Sequence, residues 1–150
     1  MPAPRIVRAE SDAAIRATFA VMRQLRPHLA GPDDYLATVR RMQADGGGGG
    51  GGYRLAAVLD DADIVQAVAG YRVFEMLYAG RLLSVDDLVT DADARSQGYG
   101  RALLTWLRAE GRALGCAELH LDSATHREAA HRFYLREGLG ILGHHFRCPL

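Results

Sequence analysis

The chain has 150 residues, 49% hydrophobic and 24% charged, with 18 basic and 18 acidic side chains and a formal net charge of zero. That length predicts one domain over residues 1–150, large enough to bury roughly two-thirds of its unfolded surface. The charge balance lacks the signature of a nucleic-acid or membrane-surface binder, and no apolar run approaches the ~18 residues of a membrane span.

Residues 4–9 (PRIVRA) predict a short strand. A helix follows, with Ser11 as N-cap and Ile15, Phe19, Met22 and Leu25 at helical spacing, and Pro27 ends it or kinks its last turn. Residues 31–45 predict a second helix, with Asp33 and Asp34 in its first turn and Arg40 and Arg41 near its end, as the helix dipole favours. After the glycine run 46–52 the period changes. Residues 53–60, 64–77 and 82–90 read as three strands on short turns, an antiparallel meander with a kink at Gly70.

A helical pattern then runs from Gly98 to about Leu114, with Leu103, Leu104, Leu107 and Leu114 on one face and Gly115 as C-cap. Residues 116–123 alternate as a strand. Thr125 and Glu128 form a capping-box pattern opening a last helix that Gly138 ends, and 140–150 predict a closing hairpin. The order β-α-α-β-β-β-α-β-α-β-β is an α/β fold with a mixed, mostly antiparallel sheet flanked by helices.

All 18 basic residues are arginine, so a Schiff-base lysine is excluded. Cys116 and Cys148 are too few for a disulfide framework, and neither they nor the six histidines match a metal-ligand spacing. No basic-then-apolar leader opens the chain, which predicts a cytoplasmic location.

The glycine run invites a phosphate-binding reading, but no helix follows it. Its amides would have no dipole behind them, and ordering each residue would cost about 1–2 kcal/mol. It reads as a flexible loop insertion, which is thermodynamically cheap.

The better anion site is TDADARSQGYGRALL, where a strand enters a tight loop and the loop enters a helix. First-turn amides lack intrahelical partners and carry the positive end of the dipole. Gly98 and Gly100 let a ligand approach the backbone, and Arg95 and Arg101 flank the loop with permanent charge. It is neither a P-loop, since no Gly-Lys-Ser/Thr follows, nor a dinucleotide GxGxxG, since the third glycine is Leu103.

The run Arg95-Ser96-Gln97-Gly98-Tyr99-Gly100 resembles the Arg/Gln-x-x-Gly-x-Gly/Ala motif of the GNAT-type N-acetyltransferase superfamily. DDLVTDADARSQGYGRALL is similar to the family's fourth strand, pyrophosphate loop and third helix, and AELHLDSATHREAAHRFYLREGLG to its fifth strand and fourth helix. Element order matches along essentially the whole chain, and motif detail over 82–140. Ser96 departs from the glycine common after the arginine, and Arg127 from an asparagine carried by many members.

The resemblance implies acetyl transfer from acetyl-CoA to an amine by direct attack, with the pyrophosphate on the amides of Gln97–Ala102. It implies that backbone donors near Leu88, Val89 and Thr90 polarise the thioester carbonyl, and that Tyr134 is the acid for the leaving thiolate. A phenol of pKa ~10 stays protonated at neutral pH. Asp86 and Asp87 are adjacent on a strand, so alternation lets one face the acetyl group; Asp86 shares parity with Leu88 and is favoured, and Glu75 is a further acidic candidate. An aspartate near pKa ~3.9 is a poor base for an amine near ~10, so it suits binding the ammonium, orienting a water, or acting with a pKa raised by burial. The expected acceptor is a small-molecule primary amine. The alternatives are a peptide or protein acceptor, or an acyl-CoA-binding regulatory module without turnover. Homodimers are common in the resembled family, so a homodimer is implied.

Overall fold

The computed structural model describes residues 3–46 and 52–150; of the glycine run, all but Gly46 and Gly52 lie outside the described residues. Chain contacts divide the protein into two compact units, Met1–His120 and Leu121–Leu150.

The first unit opens with β1 (Arg5–Arg8) and α1 (Asp12–Leu25). Ser11 caps α1 as its sequence predicts, its hydroxyl accepting from the Ala14 N–H at 3.1 Å. α2 (Pro32–Ala44) starts at a proline, whose missing N–H would have been unsatisfied in the first turn anyway. The meander β2 (Arg54–Leu59), β3 (Val65–Met76) and β4 (Gly80–Thr90) is antiparallel throughout, and β1 pairs antiparallel with β2. α3 (Tyr99–Ala113) leads from β4 to β5 (Glu118–Leu121), and the sheet order is β1-β2-β3-β4-β5. A helical crossover between sheet neighbours is the connection that parallel strands need, so the sheet is mixed.

Strand alternation sends the sheet's two faces to different helices. Tyr53, Leu55, Ala57, Val68 and Val89 join one buried cluster with Ile15, Met22, Tyr35 and Val39 of α1 and α2. Residues on the other face meet α3: Tyr71 packs edge-on against Trp106, and the backbone of Gly111 lies against Leu83. The α3 face also holds a buried polar network. Glu110 accepts from the Arg8 Nε at 3.1 Å and the Tyr71 hydroxyl at 3.0 Å, with a second, short bond from Arg8. Burial pushes the Glu110 carboxyl up, but the hydrogen bonds from Arg8 and Tyr71 outweigh it and hold the group below its usual range. Gly115, at φ 77°, ends α3 in the left-handed C′ position expected of it.

In the second unit α4 (Glu128–Arg136) begins later than its sequence suggests. The capping box of Thr125 and Glu128 is not formed; Arg127 is the N-cap and makes no side-chain capping bond. The Ala124 carbonyl accepts from the Arg127 N–H at 3.0 Å and pairs with the His131 ring at 2.8 Å, closing a turn where the first helical turn was expected. The closing hairpin over 140–150 is also absent: the segment has neither helix nor strand. Ile141, Leu142 and Phe146 stay exposed, so no buried face supports the pairing such a hairpin would need. Among the described residues no helix is long and apolar enough to cross a membrane.

Candidate functional site

The loop after β4 is built to present backbone N–H groups. Asp91 caps a single 3-10 turn at Ala92–Ala94, its carboxylate accepting from the Asp93 N–H at 2.8 Å. Gln24, in the last turn of α1, clamps this turn from the other side. Its amide donates to Asp91 at 3.2 Å, and its carbonyl accepts from the Ala92 N–H at 2.9 Å. Beyond the clamp the backbone changes hand twice, with Ser96 at φ 64° and Gly98 at φ 83°. Left-handed residues two apart, ahead of a helix start, form the kind of backbone from which anion nests are built. The first intrahelical bond of α3 runs from the Ala102 N–H to the Gly98 carbonyl at 3.0 Å, leaving the Tyr99 and Gly100 amides without intrahelical acceptors. Arg95, Ser96, Gln97, Gly98 and Arg101 are all exposed, and a Cβ on Gly98 would meet no atom within 4 Å. The space above Gly98 is open, and the first turn of α3 with its dipole is the kind of place where phosphate is held.

On the same strand, upstream of the loop, lies the acidic pair. Register between β3 and β4 slips at Gly70 and Tyr71: Gly70 pairs with Asp87 and Tyr71 with Val85, so Asp86 is the extra residue of a β-bulge. The bulge breaks the alternation that would let only one of the two carboxylates face this side. Arg72 donates to Asp86 at 2.7 Å, and its guanidinium lies 5.6 Å from the Tyr53 ring centroid. Tyr53 in turn donates to Asp87 at 2.7 Å. Arg26 joins the two, donating to the Asp87 carboxylate at 2.9 Å and to the Asp86 carbonyl at 3.0 Å. One polar cluster therefore holds both acids, with the Asp86 side chain 30% exposed and that of Asp87 12%.

The remaining candidates divide by place. Leu88, Val89 and Thr90 lie beyond the bulge, paired with Ala69, Val68 and Ala67 of β3. Glu75 is not brought to the acidic pair. It is exposed near the far end of β3, opposite Arg81, about 17 Å along the strand from Gly70 at a rise of about 3.3 Å per residue. Tyr134 lies in the second unit, buried on α4 with its ring 5.5 Å from that of Phe133. Burial raises its phenol pKa and the charge of Arg127 works against the rise, so it stays a proton donor at neutral pH.

Sequence reasoning missed Gln24, Arg26, Tyr53 and Arg72. Each meets its partner across a long chain separation, and none stands in a motif. Only the kink predicted at Gly70 hinted that something approaches the sheet there.

The sequence pattern described as the acetyltransferase (GNAT) family matches residues 22–140. The chain is 35% identical over 134 residues to the uncharacterized N-acetyltransferase YhdJ of Bacillus subtilis, covering 89% of each protein. It is also 35% identical over 86 residues to an aminoalkylphosphonate N-acetyltransferase of Salmonella typhimurium, covering 57% of this chain and 54% of that one. Among solved structures, an acetyltransferase of Trypanosoma brucei superposes with a TM-score of 0.75 at 20% identity, over 98% of this chain and 99% of that one. A transcriptional regulator from Bacillus halodurans superposes with a TM-score of 0.82 at 17% identity, over 98% and 99%. A loop shaped for an anion at the start of α3, in a fold shared with these proteins and under a family pattern spanning most of the sequence, leads to one conclusion: the chain belongs to the acetyltransferase (GNAT) family.

Proposed function

We propose that this protein transfers an acetyl group from acetyl-CoA to a primary amine of a small molecule, acting as a single catalytic domain. The observation that carries the proposal is the nest at Arg95–Ala102, where backbone hand, helix dipole and flanking arginines all favour a pyrophosphate. Acetyl-CoA supplies the activated acetyl carbon. The amides of Gln97–Gly100 hold its pyrophosphate, with Arg95 and Arg101 adding charge; the Ala102 amide, expected to join them, is instead taken by the Gly98 carbonyl at 3.0 Å. The nearby backbone of Leu88, Val89 and Thr90 offers N–H donors to the developing oxyanion.

The acceptor enters as an ammonium and must lose a proton before its nitrogen can attack. Asp86 and Asp87 attract the cation and orient it, and a water takes the proton. Tyr134 protonates the departing thiolate. The two carboxylates beside the bulge, each bonded to an arginine, are the groups in this site that suit an ammonium, and the named substrate of the Salmonella typhimurium relative, an aminoalkylphosphonate, is a small molecule that carries an amine.

Calorimetric titration of the purified protein with acetyl-CoA tests the donor half. Micromolar binding is expected, and Gly98→Glu abolishes it by setting a carboxylate in the phosphate position at a left-handed φ. Absence of binding by folded wild-type protein up to millimolar acetyl-CoA refutes the proposal. Thiol release with a panel of small amines tests the acceptor half.

A further inference from the structure

The two acids at the bulge are held by different means, and the difference bears on how an acceptor would be placed. Asp86 is anchored by Arg72, a side chain 32% exposed. Asp87 is anchored from inside the protein. Tyr53, only 4% exposed, donates its hydroxyl to one carboxylate oxygen while Arg26 binds the other. The space for that phenol exists because residue 70 is glycine: a Cβ there would overlap the Tyr53 hydroxyl and ring. Gly70 is also the residue paired with Asp87 at the bulge. Phenol, glycine and carboxylate thus form one fitted set drawn from β3, β4 and the residue preceding β2.

A carboxylate offers about four lone-pair sites, and Arg26 and Tyr53 each take one on Asp87. The Asp87 side chain keeps 12% of its surface open, while the phenol behind it is buried. Burial first, and then the charge of Asp87, push the Tyr53 hydroxyl well above its ordinary pKa, so it remains a donor at every pH of interest.

We infer that Tyr53 is a positioning residue for the acceptor: it fixes the Asp87 carboxylate, in space that only glycine at position 70 leaves open, so that Asp87 receives the acceptor's ammonium in one orientation. This rests on the acetyltransferase reading above and assigns the amine-docking role within the acidic pair to Asp87.

The test is steady-state kinetics on the full chain with aminoethylphosphonate and putrescine as probe acceptors, reading thiol release. Tyr53→Phe raises acceptor KM about tenfold, the order expected when a charge-assisted hydrogen bond holding the carboxylate is lost, and leaves acetyl-CoA KM unchanged. Asp87→Asn raises acceptor KM at least as much. In the Asp87→Asn background Tyr53→Phe adds less than twofold, because the phenol acts through the carboxylate. Wild-type turnover with an acceptor KM that Tyr53→Phe changes less than twofold overturns this inference alone. So does a Tyr53→Phe effect that adds in full to that of Asp87→Asn, or that falls equally on acetyl-CoA KM. If Tyr53→Phe does not fold, Gly70→Ala, which evicts the phenol but keeps both acids, must show the same selective rise in acceptor KM. Failure of both variants to fold assigns Tyr53 to stability and overturns the positioning role. Acetyl-CoA binding without wild-type turnover of any amine overturns the transferase reading and this inference with it.

Discussion

Replacing Glu110 with alanine removes the acceptor at the centre of the α3 network. Its side chain is 4% exposed, and its two oxygens take bonds from Arg8 and from the fully buried Tyr71. Arg8 is 52% exposed and turns to water when released, so its lost pairing costs about 1 kcal/mol or less. The Tyr71 hydroxyl cannot reach water and is left unsatisfied, at about 1–3 kcal/mol. Lost side-chain packing adds about 1 kcal/mol, and relief from burying a carboxylate offsets part of the sum. The expected loss is about 2–3 kcal/mol, or a Tm lower by about 4–12 °C for a chain of this size.

Urea and thermal melts followed by circular dichroism measure it. Because the orphaned phenol dominates, adding Tyr71→Phe to Glu110→Ala recovers about 1 kcal/mol. The pH dependence has a fixed sign. The folded-state pKa of Glu110 is depressed, so its contribution is full above the unfolded value of ~4.3 and is lost as pH falls through the folded value. The gap between wild type and Glu110→Gln therefore closes in acid. A Glu110→Ala protein within about 0.5 kcal/mol of wild type, the range of ordinary surface changes, refutes the reasoning. So does a Tyr71→Phe effect that adds to it instead of relieving it.

Tyr134→Phe lowers kcat at least about tenfold while acetyl-CoA affinity measured by calorimetry holds, since a general acid acts only on the leaving group; an unchanged kcat removes Tyr134 from the chemistry. At alkaline pH the fold weakens. Burial raises the Tyr35 phenol to about 12 and also raises the Tyr53 and Tyr71 phenols, so stability is full below the unfolded value of ~10 and declines as pH rises through about 12. Urea melts across this range show a slope that Tyr35→Phe makes shallower. Shortening the glycine run by deletion within 47–51, with Gly52 kept, leaves acetyl-CoA affinity unchanged by titration; a tenfold loss would tie that loop to the donor site. Gly52 itself tolerates no side chain, because a Cβ there would collide with the Gln43 carbonyl.

The features legible from the chain alone are those whose causes are local. The Ser11 cap, the Gly115 terminus and the glycine at the start of α3 follow from backbone preferences and from hydrogen bonds spanning a few residues. The antiparallel meander follows from strand runs with short turns between them. Local signals failed where a tertiary alternative was stronger or a partner was missing. The Ala124 carbonyl drew Arg127 and His131 into a turn where a capping box would have formed, and the tail after α4 found no surface on which to bury a hairpin.

The arrangement at the acids was decided only by folding. Gln24 meets Asp91 across 67 residues, Arg26 meets Asp87 across 61, Tyr53 meets Asp87 across 34, and Arg8 meets Glu110 across 102. A single sequence gives no register between β3 and β4, and a one-residue bulge sets both which face a carboxylate takes and which partners it finds. The sequence alone determined the loop-to-helix turn with glycine at its left-handed position at the start of α3, because that geometry is written in consecutive backbone. Which carboxylate stands near it, held by what and open on which side, depended on side chains far apart in sequence and brought together by the sheet.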